Sequence, residues 1–314
     1  MKQQRSLKSY LLILLKGMGM GAADVVPGVS GGTIAFITGI YEELIKSLKS
    51  INFGAVKTLF RQGVFSFWKQ INGNFLLAVF AGVLISIFTL AAILEQWLEN
   101  NPILVWSFFF GLIIASAVYV ARKIDHWNRQ KAMALVMGVA AAYLISSLTP
   151  ATTPETWWFV FFSGAIAICA MILPGISGAF ILLLLGKYQF IIAAVNDLNI
   201  FIMAVFAAGA VVGLISFSNL LSWLLDKYHD ITISVLSGFM IGSLFKIWPW
   251  KHTVSTFVDR HGETQPLKQQ NVLPEQFEAL TGGDAQLVAA IGMVLAGMVL
   301  ILAIEWISYR KKAT

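Results

Sequence analysis

The sequence has 314 residues, of which 58% are hydrophobic and only 12% are charged, and its mean hydropathy is +0.77. These values exclude a soluble globular protein and an intrinsically disordered one, and they predict an integral membrane protein. The formal net charge of +6 does not indicate nucleic acid binding, because the basic residues cluster between apolar segments, as topology determinants do. The single cysteine, Cys169, excludes a disulfide framework and a thiolate metal site.

The first apolar segment is broken. Residues 10–25 and 32–40 are apolar, each is short for a full span, and Pro27-Gly28 interrupts the helix between them. In lipid, such a break is tolerated only where it is packed in protein or lines a cavity. We therefore predict a re-entrant helical hairpin over about residues 10–40, with its tip near the middle of the membrane.

We predict that residues 1–150 form the first repeat. After the hairpin, this repeat is predicted to contain one surface helix and three spans. Residues 53–69 place Phe and Val at helical spacing opposite basic residues, which is typical of an interfacial helix on the cytoplasmic leaflet. This helix either attracts anionic headgroups or only anchors the topology. The predicted spans are about 74–94, 103–121 and 131–148. The basic residues put 42–73 and 122–131 inside, leaving 95–102 and 149–156 outside.

The second repeat, residues 151–314, follows the same plan. A hairpin is predicted over about residues 157–186, around Pro174-Gly175. Three spans follow, at about 200–224, 232–248 and 286–305. The polar segment 249–285 is predicted to be an outside loop, and both chain termini are predicted to be cytoplasmic.

The two predicted hairpins share one sequence motif. Pro27 to Asn52 aligns without a gap with Pro174 to Asn199, and the Pro, Gly and Ser residues coincide. A hairpin returns to its starting side, whereas three spans cross the membrane an odd number of times, so the two halves have opposite orientations. We predict an all-α polytopic membrane protein with two inverted-topology repeats, a design typical of transporters whose site lies at the repeat interface.

Each helix break offers hydrogen-bond donors to an anion. Ser30 and Ser177 follow the Pro-Gly pairs and are placed to cap the returning helices, accepting from an amide two or three residues on. Two helix N-termini aimed at one point near the midplane would form an anion site through exposed amides and helix dipoles. The candidate substrate-binding residues are Gly28, Ser30, Gly31, Gly32, Thr33, Gly175, Ser177 and Gly178.

Asp24 lies three residues before Pro27 in apolar surroundings, and its repeat counterpart is Met171. An intramembrane carboxylate is costly and therefore indicates a function. Two interpretations stay open: Asp24 carries a coupling proton or sodium ion, or it caps backbone amides at the break. No metal-ligand spacing and no Ser/His/Asp arrangement occurs, so we expect no metal, no cofactor and no catalytic residue.

The stretch from Gly21 to Thr33, together with the stretch from Ala170 to Gly178 and Trp248-Pro249-Trp250, resembles the bacterial polyprenyl-phosphate transporter family. The resemblance extends over nearly the whole chain. It implies that the substrate is undecaprenyl phosphate, the lipid carrier of cell-wall peptidoglycan synthesis. It further implies a flippase of the bacterial cytoplasmic membrane that returns the carrier from the outer to the inner leaflet. The expected partners are polyprenyl phosphate, membrane lipids and a coupling proton or sodium ion, but not nucleic acid.

Three other functions compete with this expectation. A secondary transporter for an inorganic anion or another small solute would use the same two-tip site. A membrane lipid phosphatase would need the His, Arg and Asp clusters of phosphoryl chemistry, which the sequence lacks. A purely structural membrane protein would leave the duplicated breaks and Asp24 without a role.

Overall fold

The computed structural model describes residues 5–26, 29–258 and 264–313. These residues form mostly α-helices, together with one antiparallel pair of strands. In the first half the helices are α1 (Leu7–Val25), α2 (Gly31–Ile37), α3 (Tyr41–Lys49), α4 (Phe53–Gln70), α5 (Gly73–Asn100), α6 (Pro102–Ala121) and α7 (Arg129–Ser147). In the second half the elements are α8 (Trp157–Ile172), α9 (Gly178–Leu184), α10 (Tyr188–Asn196), α11 (Ile200–Lys227), α12 (His229–Ser243), β1 (Lys251–Val258), β2 (Thr264–Asn271), α13 (Pro274–Thr281) and α14 (Leu287–Ala313).

Several helices are long and apolar enough to cross a membrane. Within the described residues these are four: α6, α7, α11 and the Gly73–Leu90 part of α5. Helices α9 and α10 meet the same criterion together but are bent by 106° relative to each other, while α8 and Leu287–Ala303 of α14 are apolar but shorter. The chain is therefore a mostly α-helical, multi-pass membrane protein, as its composition predicted.

Two predicted element boundaries are wrong. Residues 95–100, which we assigned to an outside connection, form the last turns of α5, and only Asn101 separates α5 from α6. Proline is well tolerated at the first position of a helix, so Pro102 begins α6 directly. Helix α12 ends at Ser243, five residues before the predicted end of its span, and the chain continues in tight turns toward Pro249.

The predicted surface helix is present as α4, but it is kinked. Gly63 has φ +83°, a conformation that favours glycine and interrupts the helix. Phe53, Phe60 and Phe65 are 94%, 84% and 81% exposed, so these three rings of α4 do not pack into the protein core. This exposure fits a helix that lies on a lipid surface.

The segment predicted as a polar loop, residues 249–285, is folded. Strands β1 and β2 pair antiparallel, from Lys251 opposite Asn271 to Val258 opposite Thr264, with irregular register near Ser255. Helix α13 follows, and a small apolar cluster joins this segment to α6 and α14. Its buried members are Ile103, Trp250, Val272, Ala285 and Ala290.

Four helix pairs account for most of the packing. Helix α1 packs along α5, α8 along α11, α6 along α14, and α7 along α12. Each of these interfaces places a glycine from both helices where a Cβ atom would collide with the facing backbone. The glycines are Gly17 with Gly82, Gly164 with Gly209, Gly111 with Gly297, and Gly138 with Gly238. Such small residues let helix backbones approach closely in a bilayer.

Candidate functional site

Both helix breaks have the capping geometry that the sequence predicted. Ser30 and Ser177 have extended backbones and precede α2 and α9 directly. The Ser30 hydroxyl accepts from the Gly32 amide at 3.1 Å, and the Ser177 hydroxyl accepts from the Phe180 amide at 3.5 Å. At both breaks, therefore, the serine that follows the Pro-Gly pair caps the next helix.

The two breaks contact each other through buried polar groups. The Ser30 hydroxyl lies 3.2 Å from the carbonyl oxygens of both Met171 and Leu173. The Thr33 hydroxyl accepts from the Gly175 amide at 2.9 Å. Ser30 and Thr33 are fully buried. Two stretches that are far apart in the chain thus form one polar cluster.

Close approach at this contact requires glycine at position 32. A Cβ atom there would lie 2.6 Å from the Ile172 carbonyl oxygen, at the end of α8. On the other side of the contact, Gly175 has φ +86°, a left-handed conformation that side-chain-bearing residues rarely adopt. Both breaks therefore depend on glycine, for two different reasons.

Asp24 connects the two helices on either side of the first break. Its Oδ1 accepts a hydrogen bond from the Gly31 amide at 2.7 Å, in the first turn of α2. This is the contact that the capping interpretation of Asp24 expects, while the ion-coupling interpretation stays a prediction. The counterpart of Asp24 in the second break is Met171, whose side chain has no oxygen that could accept from the Gly178 amide.

The structure brings the described candidate residues together at the two breaks. Gly31, Gly32, Gly175 and Ser177 are buried like Ser30 and Thr33, and Gly178 is partly buried. Gly28 lies outside the described residues. The described residues contain no group of His, Cys, Asp and Glu side chains that could hold a metal ion.

Comparison with known proteins identifies the family. Residues 20–265 match the family model described as "Undecaprenyl phosphate translocase-like". A Vibrio cholerae protein named "Polyprenyl-phosphate transporter" is 48% identical over 297 residues, which are 95% of this chain and 96% of that protein. A Staphylococcus aureus protein of the same name is 30% identical over 258 residues, which are 75% of this chain and 85% of that protein.

The chain belongs to the undecaprenyl phosphate translocase-like family. This confirms the resemblance seen in the sequence. The matched residues of the translocase-like family model include both helix breaks and Asp24. No solved structure matches the chain. The two relatives are named as transporters rather than enzymes.

A large cavity lies at the end of the molecule where α1 begins, and sequence reasoning missed it. Its volume is about 1110 Å³, and its walls come from α1, α3, α4, the start of α5 and the facing ends of α6 and α12. Its lining includes His229 and charged residues of both signs, namely Arg5, Glu43, Lys46, Lys69 and Lys123. Arg5 and Glu43 form a two-bond ion pair at 2.8 and 2.6 Å. In this member of the translocase-like family, basic residues that looked like topology determinants therefore line a polar cavity near the start of α1.

Proposed function

We propose that this protein is a flippase that returns undecaprenyl phosphate from the outer to the inner leaflet of the bacterial cytoplasmic membrane, for reuse in peptidoglycan synthesis. The phosphate headgroup is held between the two hairpin tips, and no catalytic step is involved. The names of the relatives support the substrate class. The observation that supports the site is the buried contact of Ser30 and Thr33 with the second break.

Phosphate would replace acceptors that the protein now supplies. The Gly31 amide already binds an anionic oxygen, from Asp24, and the Gly32 and Gly175 amides bind serine and threonine hydroxyls. A phosphate group carries enough acceptor oxygens to take over these amides when the tips separate. The isoprenoid chain requires only an apolar surface, which α11 offers, since only 11% of its most apolar part is buried inside the protein.

Ion coupling follows from the same exchange. When phosphate takes the Gly31 amide, the Asp24 carboxylate loses its hydrogen-bond donor in an apolar environment. A proton or a sodium ion would then neutralise Asp24, and the substrate and the ion would move together.

The helix packing supports the inverted-repeat architecture. Exchanging the two halves converts the α1–α5 pair into the α8–α11 pair, and the α6–α14 pair into the α12–α7 pair. In each half, a residue just before the first helix of the hairpin also contacts a later helix of the same half. Arg5, before α1, pairs with Glu43 on α3, and the Ala151 amide, before α8, donates to Leu184 O at 2.9 Å. These contacts fit two re-entrant hairpins that enter from opposite faces.

A leaflet-specific assay in proteoliposomes tests the function. A polyprenyl monophosphate is placed in one leaflet, and its appearance in the other is followed by accessibility of the phosphate to an added enzyme. We expect protein-dependent movement of the monophosphate and no uptake of inorganic phosphate. Uptake of inorganic phosphate without lipid movement would favour a small-solute transporter instead.

Cysteine labelling tests the orientation. Ser255 lies in β1 and is predicted to be outside, so Ser255→Cys in a Cys169→Ala background should react with an impermeant reagent added to intact cells. Lys57→Cys, in α4, serves as the inside control and should react only after permeabilisation. Labelling of position 255 from the cytoplasm alone would contradict the inverted repeat.

A further inference from the structure

The folded segment between α12 and α14 holds two lysines in defined positions. The Trp250 indole donates to the Ala285 carbonyl at 2.9 Å, and the Trp248 indole donates to the Val272 carbonyl at 2.8 Å. These bonds tie the short connection between α12 and β1 to the strand pair and to the start of α14. Lys246 and Lys251 flank the tied connection and share its fixed position.

Lys251 directs its ammonium group toward the helices. The Nζ atom lies 4.0 Å from the centre of the Trp106 ring on α6 and donates to the Lys246 carbonyl at 2.7 Å. Burial, and secondarily the charge of Lys246, lowers the pKa of Lys251 from its ordinary value of 10.5 to about 7. A cation at this position is therefore costly unless an anion is added.

Lys246 connects this position to the second hairpin. Its Nζ lies 4.3 Å from the centre of the Phe180 ring, and Phe180 is on α9, three residues after Ser177. Within residues 5–26, 29–258 and 264–313, no ion pair joins Lys246 or Lys251 to a carboxylate. The site therefore combines two neighbouring cations, two aromatic rings and no described counter-ion.

We propose that Lys246 and Lys251 form a dibasic site that binds a phosphate monoester beside the second helix break. The inference rests on the proposed function, in which this group is the headgroup of the transported lipid. Lysine has three N–H donors, and only one on Lys251 is used by the Lys246 carbonyl, so both ammonium groups can donate to phosphate oxygens. From this site the phosphate would move along α9 to the tip at Ser177.

A structural role alone does not explain these lysines. Cation–π contacts with Trp106 and Phe180 offset part of the desolvation cost, but a neutral side chain would avoid that cost entirely. Below pH 7, Lys251 is charged in both the folded and the unfolded chain, so the desolvation cost lowers the free energy of unfolding by its full amount. Between pH 7 and 10.5 the free energy of unfolding rises with pH, because the unfolded chain binds a proton at Lys251 that the folded chain has lost. Neutral substitution should therefore raise the melting temperature at pH 7.

The test measures binding of a polyprenyl monophosphate to the full chain in nanodiscs. The variants are Lys246→Gln, Lys251→Gln and the double substitution. Lys187→Gln is the matched control, because the Lys187 ammonium also lies over aromatic rings but donates to the Thr153 carbonyl, which glutamine can replace. We expect the double variant to bind about tenfold more weakly or worse, the scale for losing charge-assisted hydrogen bonds. Lys187→Gln and binding of the uncharged polyprenol should be unchanged.

The outcomes of this experiment distinguish a failure of the dibasic site from a failure of the proposed function. Unchanged monophosphate binding in a folded double variant would overturn the dibasic site and leave the proposed function standing. Lysine-dependent binding of inorganic phosphate, in a protein that neither binds nor moves the lipid, would keep the dibasic site and overturn the proposed function. A double variant that melts lower than wild type and also binds weakly would assign the lysines a structural role and overturn the site.

Discussion

The two helix breaks share their Pro, Gly and Ser residues but differ at the residue seven positions before the helix that follows the break. The first break has Asp24 there, and its carboxylate binds the Gly31 amide at 2.7 Å. The second has Met171, and the described residues supply no acceptor for the Gly178 amide. The first break therefore contains its own anion, whereas the second does not.

The two breaks also differ in the side chains that they contribute to their mutual contact. Ser30 and Thr33 of the first break provide the hydroxyls that bind Met171 O, Leu173 O and the Gly175 amide of the second. Among the described residues, the Ser177 side chain makes a single long hydrogen bond, to the Phe180 amide, and position 33 is matched by Phe180, which has no hydroxyl. The two breaks therefore contribute differently to their contact, since the first supplies side-chain hydroxyls and the second supplies backbone groups.

The largest effect is expected where the two breaks touch. Gly32→Ala would place a Cβ atom 2.6 Å from the Ile172 carbonyl oxygen, a backbone atom that cannot easily move. We expect transport to fall to background and the free energy of unfolding to fall by about 3 kcal/mol, the upper end of the usual cost of overpacking. Proteoliposome transport and thermal unfolding measure both effects.

Gly292→Ala is the control for this change. A Cβ atom at Gly292, within α14, would meet nothing within 4 Å, so the variant should be as active as wild type and up to about 1 kcal/mol more stable. An active, stable Gly32→Ala protein would show that the two breaks need not be in contact.

Removing the carboxylate of the first break should have the next largest effect. Asp24→Ala leaves the buried Gly31 amide without its acceptor and should cost about 1.5–3 kcal/mol, the range for a hydrogen bond to a charged group. Asp24→Asn keeps an acceptor, so it should be more stable than the alanine variant but still lose ion-driven transport. Coupled transport in a stable Asp24→Ala protein would remove the ion role.

Met171→Asp is the reciprocal change, giving the second break the carboxylate that it lacks. Met171 is 39% exposed, so an aspartate can be accommodated, and its carboxylate would compete with phosphate for the Gly178 amide. We expect weaker headgroup binding and also a lower melting temperature, because a carboxylate within the membrane is costly. Unchanged binding would mean that the Gly178 amide does not take part.

The breaks themselves were predictable, but their mutual contact was not. Pro-Gly interrupts a helix locally, and Ser at the next turn is a preferred cap, so sequence alone predicted both breaks and both capping serines. The bond between Thr33 and Gly175 joins residues 142 positions apart, and nothing in the local pattern indicates it. Strand β2 was missed because its sequence, TQPLKQQN, has neither regular alternation nor apolar character. Pairing with β1 alone makes it a strand.

Loss of the Thr33 hydroxyl should have a moderate effect. Thr33→Val keeps the shape of the side chain but removes the acceptor for the Gly175 amide, and we expect a loss of about 1 kcal/mol of stability. Thr33→Ser restores the hydroxyl and should recover most of this loss, as thermal unfolding would show. Equal losses in both variants would point to packing of the methyl group rather than to the hydrogen bond.

The smallest effects come from the capping serines, and they test the asymmetry most directly. Ser30 caps α2 and also donates across the contact, so Ser30→Ala should cost about 1 kcal/mol, whereas the long bond of Ser177 predicts only a few tenths for Ser177→Ala. If both residues also bind one phosphate, their effects on headgroup affinity should not be additive, because residues that share a ligand couple. Affinities of the two single variants and the double variant measure this coupling. Strict additivity, with equal losses from each serine, would mean two independent and equivalent sites, contrary to a single site shared by two unlike helix breaks.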